Sequence, residues 1–365
     1  MKIVCQREDL AHSVAIAAGV APSRATRPIL CGVKISATKK GTTLLATDLE
    51  VSAGVRLREA IVQKEGQTVV TAATLLEILR SIESAEVTLQ ADGRFCHIRA
   101  EDAEYKLVTE DPEEFPEVEA APDAGVQVPR TFIEELFART SYAAARDVGR
   151  YAINGILVEI GDKRVRFVTT DGRRMAICSR DLPEADHKVK GAIVPVKGLA
   201  EALRASEGAA TIRLSVEENR VVLSSDLADV ITKPVQGEFP DYQSVIPQEK
   251  KGTATIERDV LLAAIRKVSV LRVEEMRSVR FAIKGSTITI TSQVEGRGEA
   301  KTTITAKVEG LSEYSVDFNP DFLQDHLKPL PSQPVQFEYR DENSAGLFRL
   351  AGGSDVYLVM PITTS

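Results

Sequence analysis

Two aspartates are the first residues whose type and placement suggest chemistry. Asp48 and Asp171 each follow a threonine at the close of a β-rich stretch, as Thr47-Asp48 and Thr170-Asp171. A pair of carboxylates could share the acid and base roles of a hydrolysis. The two stand 123 residues apart, however, and a related Thr291-Ser292 follows 121 residues after Asp171. A residue that returns at the same place in successive units reads first as a turn former, a role that suits aspartate. The other chemistry-bearing residues do not gather. His12, His97, His187 and His326 fall in different elements, so neither a zinc set nor a nucleophile–histidine pair is indicated. Cys5, Cys31, Cys96 and Cys178 lie far apart without metal-type or redox-type spacing and read as buried, reduced thiols. Neither Gly-x-Gly-x-x-Gly nor Gly-x-x-x-x-Gly-Lys-Ser/Thr occurs. No catalytic residue, metal or cofactor is expected.

The elements that would position these residues also recur. Each unit opens on an amphipathic helix, expected from Glu8 to Ala18, from Thr131 to Ala145 and from Arg258 to Leu271. Each carries a second, shorter helix around Leu75, Leu199 and Leu323, which stand at intervals of 124 residues. Phe115-Pro116 and Phe239-Pro240 are also 124 apart. Between helices the chain alternates and is β-branched, as in Val165–Thr170 and Thr287–Thr291. Asp171-Gly172 reads as a hairpin turn. Segments rich in Pro, Gly and acid, from Asp111 to Gly125 and from Gln248 to Gly252, separate the units. A period near 120 is that of a domain rather than a solenoid repeat. The expected fold class is α+β: three repeated domains at 1–124, 125–249 and 250–365, each with two helices packed on one face of roughly eight strands.

Composition narrows the function. Apolar residues make up 43% of the 365, enough for three cores, and no apolar run has the length of a membrane span. The amino terminus leads straight into a strand, and a cytoplasmic location is expected. The net charge of −7 is unlike that of a tight nucleic-acid binder. Its distribution matters more. The six candidate helices are together close to neutral, so strands and loops hold the excess acid. A less acidic helical face could hold a polyanion loosely and without sequence preference.

Several motifs resemble those of the bacterial sliding clamp family, the β subunit of DNA polymerase III. They are Arg150-Tyr151-Ala152-Ile153-Asn154-Gly155 and Val168-Thr169-Thr170-Asp171-Gly172-Arg173-Arg174-Met175-Ala176 in the central unit. Phe239-Pro240-Asp241-Tyr242, Val245-Ile246-Pro247, Asn319-Pro320-Asp321-Phe322 and Tyr357–Ile362 continue the match. Arg27-Pro28-Ile29-Leu30 and Thr47-Asp48-Leu49-Glu50 extend it to the start. Their order and spacing, over the full length, carry the likeness.

The resemblance implies a non-catalytic, head-to-tail homodimer forming a six-domain ring, with helices lining the hole and sheets outside. Such a ring encircles duplex DNA non-specifically, is opened by a clamp loader, and tethers the replicative DNA polymerase catalytic subunit. Repair and translesion polymerases share it through short peptide motifs. The implied partner-peptide pocket comprises Ile153, Thr170, Gly172, Arg173, Arg174, Met175, Pro240, Val245, Asn319, Phe322, Leu358, Met360, Pro361 and Ile362. The implied DNA-facing residues are Arg24, Arg80, Arg146, Arg150, Tyr151 and Lys197. At the dimer seam, Tyr105 and Leu107 are expected to meet Val270 and Leu271 of the other copy. Arg173 replaces a histidine frequent in the family, Ser244 an arginine of one branch, and Ala152 an aromatic. A hydrolase built on the aspartate turns and a scaffold that never meets DNA are the competing readings.

Overall fold

A computed structural model describes residues 1–146, 151–183, 185, 189–271, 278–294 and 296–362. Its elements follow the repeat. The first repeat runs β1 (Lys2–Gln6), α1 (Arg7–Val20), β2 (Gly32–Thr38), β3 (Gly41–Thr47), β4 (Val51–Leu57), β5 (Ile61–Lys64), β6 (Gly66–Thr71), α2 (Ala72–Ser81), β7 (Glu86–Ala91), β8 (Phe95–Arg99) and β9 (Glu104–Val108). The second runs β10 (Val126–Pro129), α3 (Arg130–Thr140), β11 (Gly155–Gly161), β12 (Arg164–Thr170), β13 (Arg174–Asp181), β14 (Val189–Pro195), α4 (Val196–Ala205), β15 (Thr211–Val216), β16 (Val221–Ser224) and β17 (Ala228–Thr232). The third runs β18 (Gly252–Glu257), α5 (Arg258–Val268), β19 (Val279–Lys284), β20 (Thr287–Val294), β21 (Gly298–Thr305), β22 (Lys307–Gly310), β23 (Glu313–Phe318), α6 (Pro320–Leu327), β24 (Pro334–Tyr339), β25 (Gly346–Leu350) and β26 (Val356–Val359).

Local chemistry sets the helix ends. Asn319 caps α6, its side-chain oxygen accepting from the Asp321 N–H at 2.9 Å, and Pro320 occupies the first turn. α3 and α5 stop earlier than their apolar spacing predicts. Thr140 donates its hydroxyl to the Leu136 carbonyl and Ser269 to that of Ile265, each at 2.7 Å, and Ser206 does the same to Ala202 just past α4. A hydroxyl that bonds back one turn competes with the backbone and favours an end to the helix. Beyond Thr140 a 3₁₀ turn over Ser141–Ala143 replaces the expected helix. Leu75, Leu199 and Leu323 are each fully buried beneath the second helix of their repeat.

Strand pairing does not respect the repeat boundaries. The strand order of one eight-stranded sheet is β10-β15-β16-β17-β4-β3-β2-β6, so β17 of the second repeat pairs with β4 of the first, Thr232 opposite Val51. A nine-stranded sheet has the order β14-β11-β12-β13-β26-β25-β24-β18-β22, so β26 of the third repeat pairs with β13 of the second, Val359 opposite Arg174. The remaining sheets are β5-β1-β7-β8-β9 and β21-β20-β19-β23. The chain accordingly divides into two compact units that follow the sheets. One holds residues 1–134 and 194–234, the other 135–193 and 235–365. In the first, α1 packs against both α2 and α4, and these helices cover the eight-stranded sheet. In the second, α5 and α6 pack together, α5 over β20 and β21 and α6 beside β26.

The core around α5 and α6 is aromatic. Phe281, Phe318, Phe337, Phe348, Tyr339 and Tyr357 are almost fully buried and meet edge-to-face, tilted or stacked, with Phe337 over Phe348 at 4.6 Å. Gly346 is fitted between these rings: a Cβ there would lie 2.5 Å from Phe318 Cζ and 3.0 Å from Phe337 Cε2. Gly346→Ala is therefore expected to lower stability by about 1–3 kcal/mol through overpacking. Denaturant unfolding checks this, and an unchanged midpoint would contradict the packing described.

Candidate functional site

The hairpin between β12 and β13 is built by the repeated threonine and aspartate. Thr170 donates its hydroxyl to the Arg174 carbonyl at 2.7 Å and accepts from the Gly172 N–H at 3.1 Å. Asp171 Oδ1 accepts from the N–H groups of Arg173 and Arg174 at 2.9 and 3.0 Å. Gly172 sits at φ 84°, in the left-handed region that glycine enters without strain. The first repeat makes the same turn. Asp48 Oδ1 accepts from Glu50 and Val51, the Leu49 N–H bonds to Thr47, and Leu49 takes φ 76°. Both carboxylates thus serve the backbone with one oxygen, and the other oxygen holds a cation. Lys197 is 2.5 Å from Asp48 Oδ2, and the Arg174 Nε is 3.0 Å from Asp171 Oδ2. Burial pushes the Asp48 carboxyl up, but Lys197 and the two N–H groups outweigh it and hold the group below the usual carboxylate range. Neither aspartate is free for acid–base work. In the third repeat β20 continues through Ser292, which pairs with Ala300, and the hairpin is longer than the Thr-Ser pair predicts. Serine has no carboxylate to gather the turn amides, and the left-handed residue, Gly296 at φ 72°, comes later.

Around the second turn lies an apolar cavity of about 540 Å³. Met175 and Leu358 stand opposite each other on β13 and β26 and form its buried floor. The Met360 N–H donates to the Arg173 carbonyl at 2.8 Å and carries the wall past the end of β26. Ile153, Thr170, Gly172, Arg173 and Arg174 line the cavity from the central repeat, and Pro240 and Val245 from the irregular segment after it. A concave apolar site with a few polar groups at the rim takes an apolar side chain or short segment, and two methionines let its walls adapt. A neighbouring cavity of about 610 Å³ shares Gly172, Arg173 and Arg174 and is lined by Arg146, Asn319 and Phe322. Pro361 and Ile362 line neither cavity; the Ile362 N–H donates to the Asp317 carbonyl at 2.8 Å and ties the chain end to β23. Ala152, Asp241, Tyr242 and Ala345 also line the first cavity. Of these, Tyr242 could have been picked from its place beside Pro240; small alanines leave no such signal.

Arg174 organises the wall between the two cavities. Its guanidinium donates to Asp325 at 3.0 Å and to the Tyr142 carbonyl at 2.6 Å, and lies 4.2 Å from the Phe322 ring centroid. Tyr142 is held in turn by His326 Nδ1 at 3.0 Å, and the imidazole stacks on Tyr357 at 4.2 Å. Arg180, Arg139, Glu135 and Asp355 form a second charge network beside this core.

The DNA-facing expectations fall in several places. Arg24 lies in the exposed turn after α1 and Arg80 on the exposed last turn of α2; among the described residues neither side chain makes a hydrogen bond or ion pair. Lys197 stands in the first turn of α4 but is committed to Asp48 and to the Val20 carbonyl. Arg146 is exposed. Arg150 and the side chain of Tyr151 lie outside the described residues, as does His187. Tyr105 and Leu107 lie on the edge strand β9, half-buried, while Val270 just beyond α5 is 80% exposed and Leu271 half-buried. Cys5, Cys96 and Cys178 are buried and Cys31 partly exposed, all unpaired. Among the described residues no cluster could hold a metal ion, and no helix is long and apolar enough to cross a membrane.

Three family models match in succession: DNA polymerase III beta subunit, N-terminal domain over residues 1–119, central domain over 127–241, and C-terminal domain over 243–363. The chain belongs to the DNA polymerase III beta subunit family. The beta sliding clamp of Pseudomonas putida is 30% identical over 99% of this chain and 100% of that protein. A Bacillus subtilis sliding clamp structure shares the fold with a TM-score of 0.94 at 24% identity, covering 100% of both chains. A Pseudomonas aeruginosa sliding clamp bound to griselimycin has a TM-score of 0.92 at 27% identity, again covering 100% of both. The family's three-domain architecture therefore accounts for the three repeats.

The buried imidazole sets a pH dependence. Burial pushes His326 down to about 3, against about 6.5 in an unfolded chain. With the folded value below the unfolded one, this contribution to stability is fully present above pH 6.5 and is lost as pH falls from there toward 3. The melting temperature should fall through that window, and His326→Phe should flatten the slope. An identical slope in the variant would contradict a neutral, buried imidazole.

Proposed function

We propose that this chain is a DNA sliding clamp: a ring-shaped homodimer that encircles duplex DNA without reading sequence and tethers the replicative DNA polymerase catalytic subunit. It is a non-catalytic accessory of that polymerase, opened by a clamp loader and working on the chromosome in the cytoplasm, and its three clamp domains divide near 1–124, 125–249 and 250–365. Repair and translesion polymerases reach the same apolar cavity through short peptides that lay an apolar side chain over Met175 and Leu358.

The observation that carries the ring is the pattern of strand pairing. β4, β13 and β21 are equivalent strands of the three repeats, as are β9, β17 and β26. β4 pairs with β17 and β13 with β26, while β21 and β9 remain at sheet edges. A second copy supplies the missing neighbour for each. Joined in this way, β5-β1-β7-β8-β9 and β21-β20-β19-β23 make nine strands in the order already seen across β26 and β13. Open edges invite pairing, and a two-fold dimer closes both edges at once without leaving one free to polymerise. Arg24 and Arg80, exposed and without an ion pair among the described residues, support weak contact with phosphates, and Arg146, Arg150, Tyr151 and Lys197 complete the proposed DNA-facing set.

Tyr105 and Leu107 on β9 and Val270 and Leu271 after α5 are the proposed seam. Light scattering should give a particle of twice 39.7 kDa. Leu107→Asp combined with Val270→Asp should halve that mass while keeping the circular dichroism spectrum, since buried unpaired carboxylates would face the seam. A double variant that remains a dimer would contradict this pairing.

A further inference from the structure

The segment bearing Pro240 and Val245 forms one wall of the apolar cavity, yet it has no strand or helix of its own. It is tied at its start by the Val235 N–H to the Ile193 carbonyl at 2.8 Å. It is tied at its end by the Lys251 N–H to the Tyr339 carbonyl at 2.9 Å, with ion pairs from Lys250 to Glu338 and Glu249 to Arg340. Across residues 236–248 the other hydrogen bonds stay local: Gln243 and Ser244 to Asp241, Ile246 to Gln243, and Gln248 to Ile246. Among the described residues, one side chain bonds this stretch to the rest of the unit, and it is Tyr242.

Its phenol donates to Glu159 Oε2 at 2.7 Å and accepts from Arg166 Nη1 at 3.0 Å, and Arg166 also donates to the same carboxylate oxygen at 3.2 Å. Glu159 and Arg166 face each other across β11 and β12. The triangle is therefore mounted on two paired strands and not on a loop. Tyr242 is 8% exposed and belongs to the same apolar cluster as Met175 and Leu358. Burial pushes its hydroxyl up, and the Glu159 carboxylate beside it acts in the same direction, so the phenol keeps its proton and remains a donor at neutral pH. A hydrogen bond to a charged group is among the stronger of its kind.

We propose that Glu159 and Arg166, acting through the Tyr242 phenol, are positioning residues that hold the Pro240–Val245 wall of the cavity in its peptide-binding posture. The proposal rests on the reading of this cavity as the partner-peptide site. Without the phenol bond the wall is held between its end ties only by the packing of Phe239, Tyr242 and Ile246 on the apolar cluster, and a peptide must order it further on binding, which weakens affinity.

The test uses the full-length protein and the purified replicative polymerase catalytic subunit as probe. Tyr242→Phe and Glu159→Ala should each weaken binding about tenfold, and the double variant should be no weaker than the single ones, because all remove one link. The chain contains no tryptophan, so Ser244→Trp provides a single reporter on the wall. Its fluorescence anisotropy should drop on adding Tyr242→Phe while the melting temperature is unchanged, a local loosening that a general loss of stability would not give. Met175→Asp, in the cavity floor, tests the underlying reading: binding equal to that of the unsubstituted protein would overturn the site itself. If Met175→Asp abolishes binding but Tyr242→Phe and Glu159→Ala leave affinity and anisotropy unchanged, the positioning role is overturned. An affinity loss that tracks a falling melting temperature in both variants would overturn it as well.

Discussion

Every sheet in this chain has to end somewhere, and where it ends decides the architecture. A paired strand satisfies its backbone groups on both sides; an edge strand leaves a row of them open to any partner. Each repeat here presents one such edge at its β4-type strand and another at its last strand. Two junctions close these edges within the chain, through β4 with β17 and β13 with β26. Each cross-strand pair adds roughly 0.2–1 kcal/mol, so a junction of four or five pairs also binds one repeat firmly to the next. The compact units follow the sheets for this reason, and the central repeat is shared between them. Of these edges β9 and β21 are left over, and the proposed ring of two copies closes them with the same pairing used inside the chain.

The same economy appears in the hairpin. A threonine and an aspartate satisfy the turn amides in the first and second repeats, and the spare carboxylate oxygen fixes a basic side chain. In the first repeat that cation is Lys197, and the left-handed position holds Leu49. In the second it is Arg174, and glycine at the left-handed position leaves the space above the turn open to a cavity. A shared turn therefore supports two outcomes. Arg174 then links the hairpin to α6 through Asp325 and to the 3₁₀ turn through Tyr142. Tyr242 performs the comparable task for the opposite wall.

Much of this was written in the sequence at the level of repeats. Leucines at 124-residue intervals mark buried helix positions because the same helix must cover the same sheet in each copy. Alternation in Val165–Thr170 and Thr287–Thr291 marks strands for the same reason. Helix ends were less legible: Thr140 and Ser269 continue an apolar pattern while their hydroxyls bond back one turn. The longer third hairpin was hidden because serine can stand within a strand as well as at its turn. The cavity's rim could be read by resemblance, but Asn319 and Phe322 line a neighbouring cavity and Pro361 and Ile362 line neither. The Glu159–Arg166–Tyr242 triangle was not legible at all, since a cross-strand pair and a residue 76 positions from Arg166 meet only once the sheet has formed.

In the proposed ring, topology and not tight binding keeps the protein on DNA. Retention on nicked circular duplex after loading by the cognate clamp loader, compared before and after the circle is cut once, measures that directly. A closed ring should stay on the circle through gel filtration and be lost by sliding off the ends once the DNA is linear. Equal retention on circular and linear DNA would contradict it.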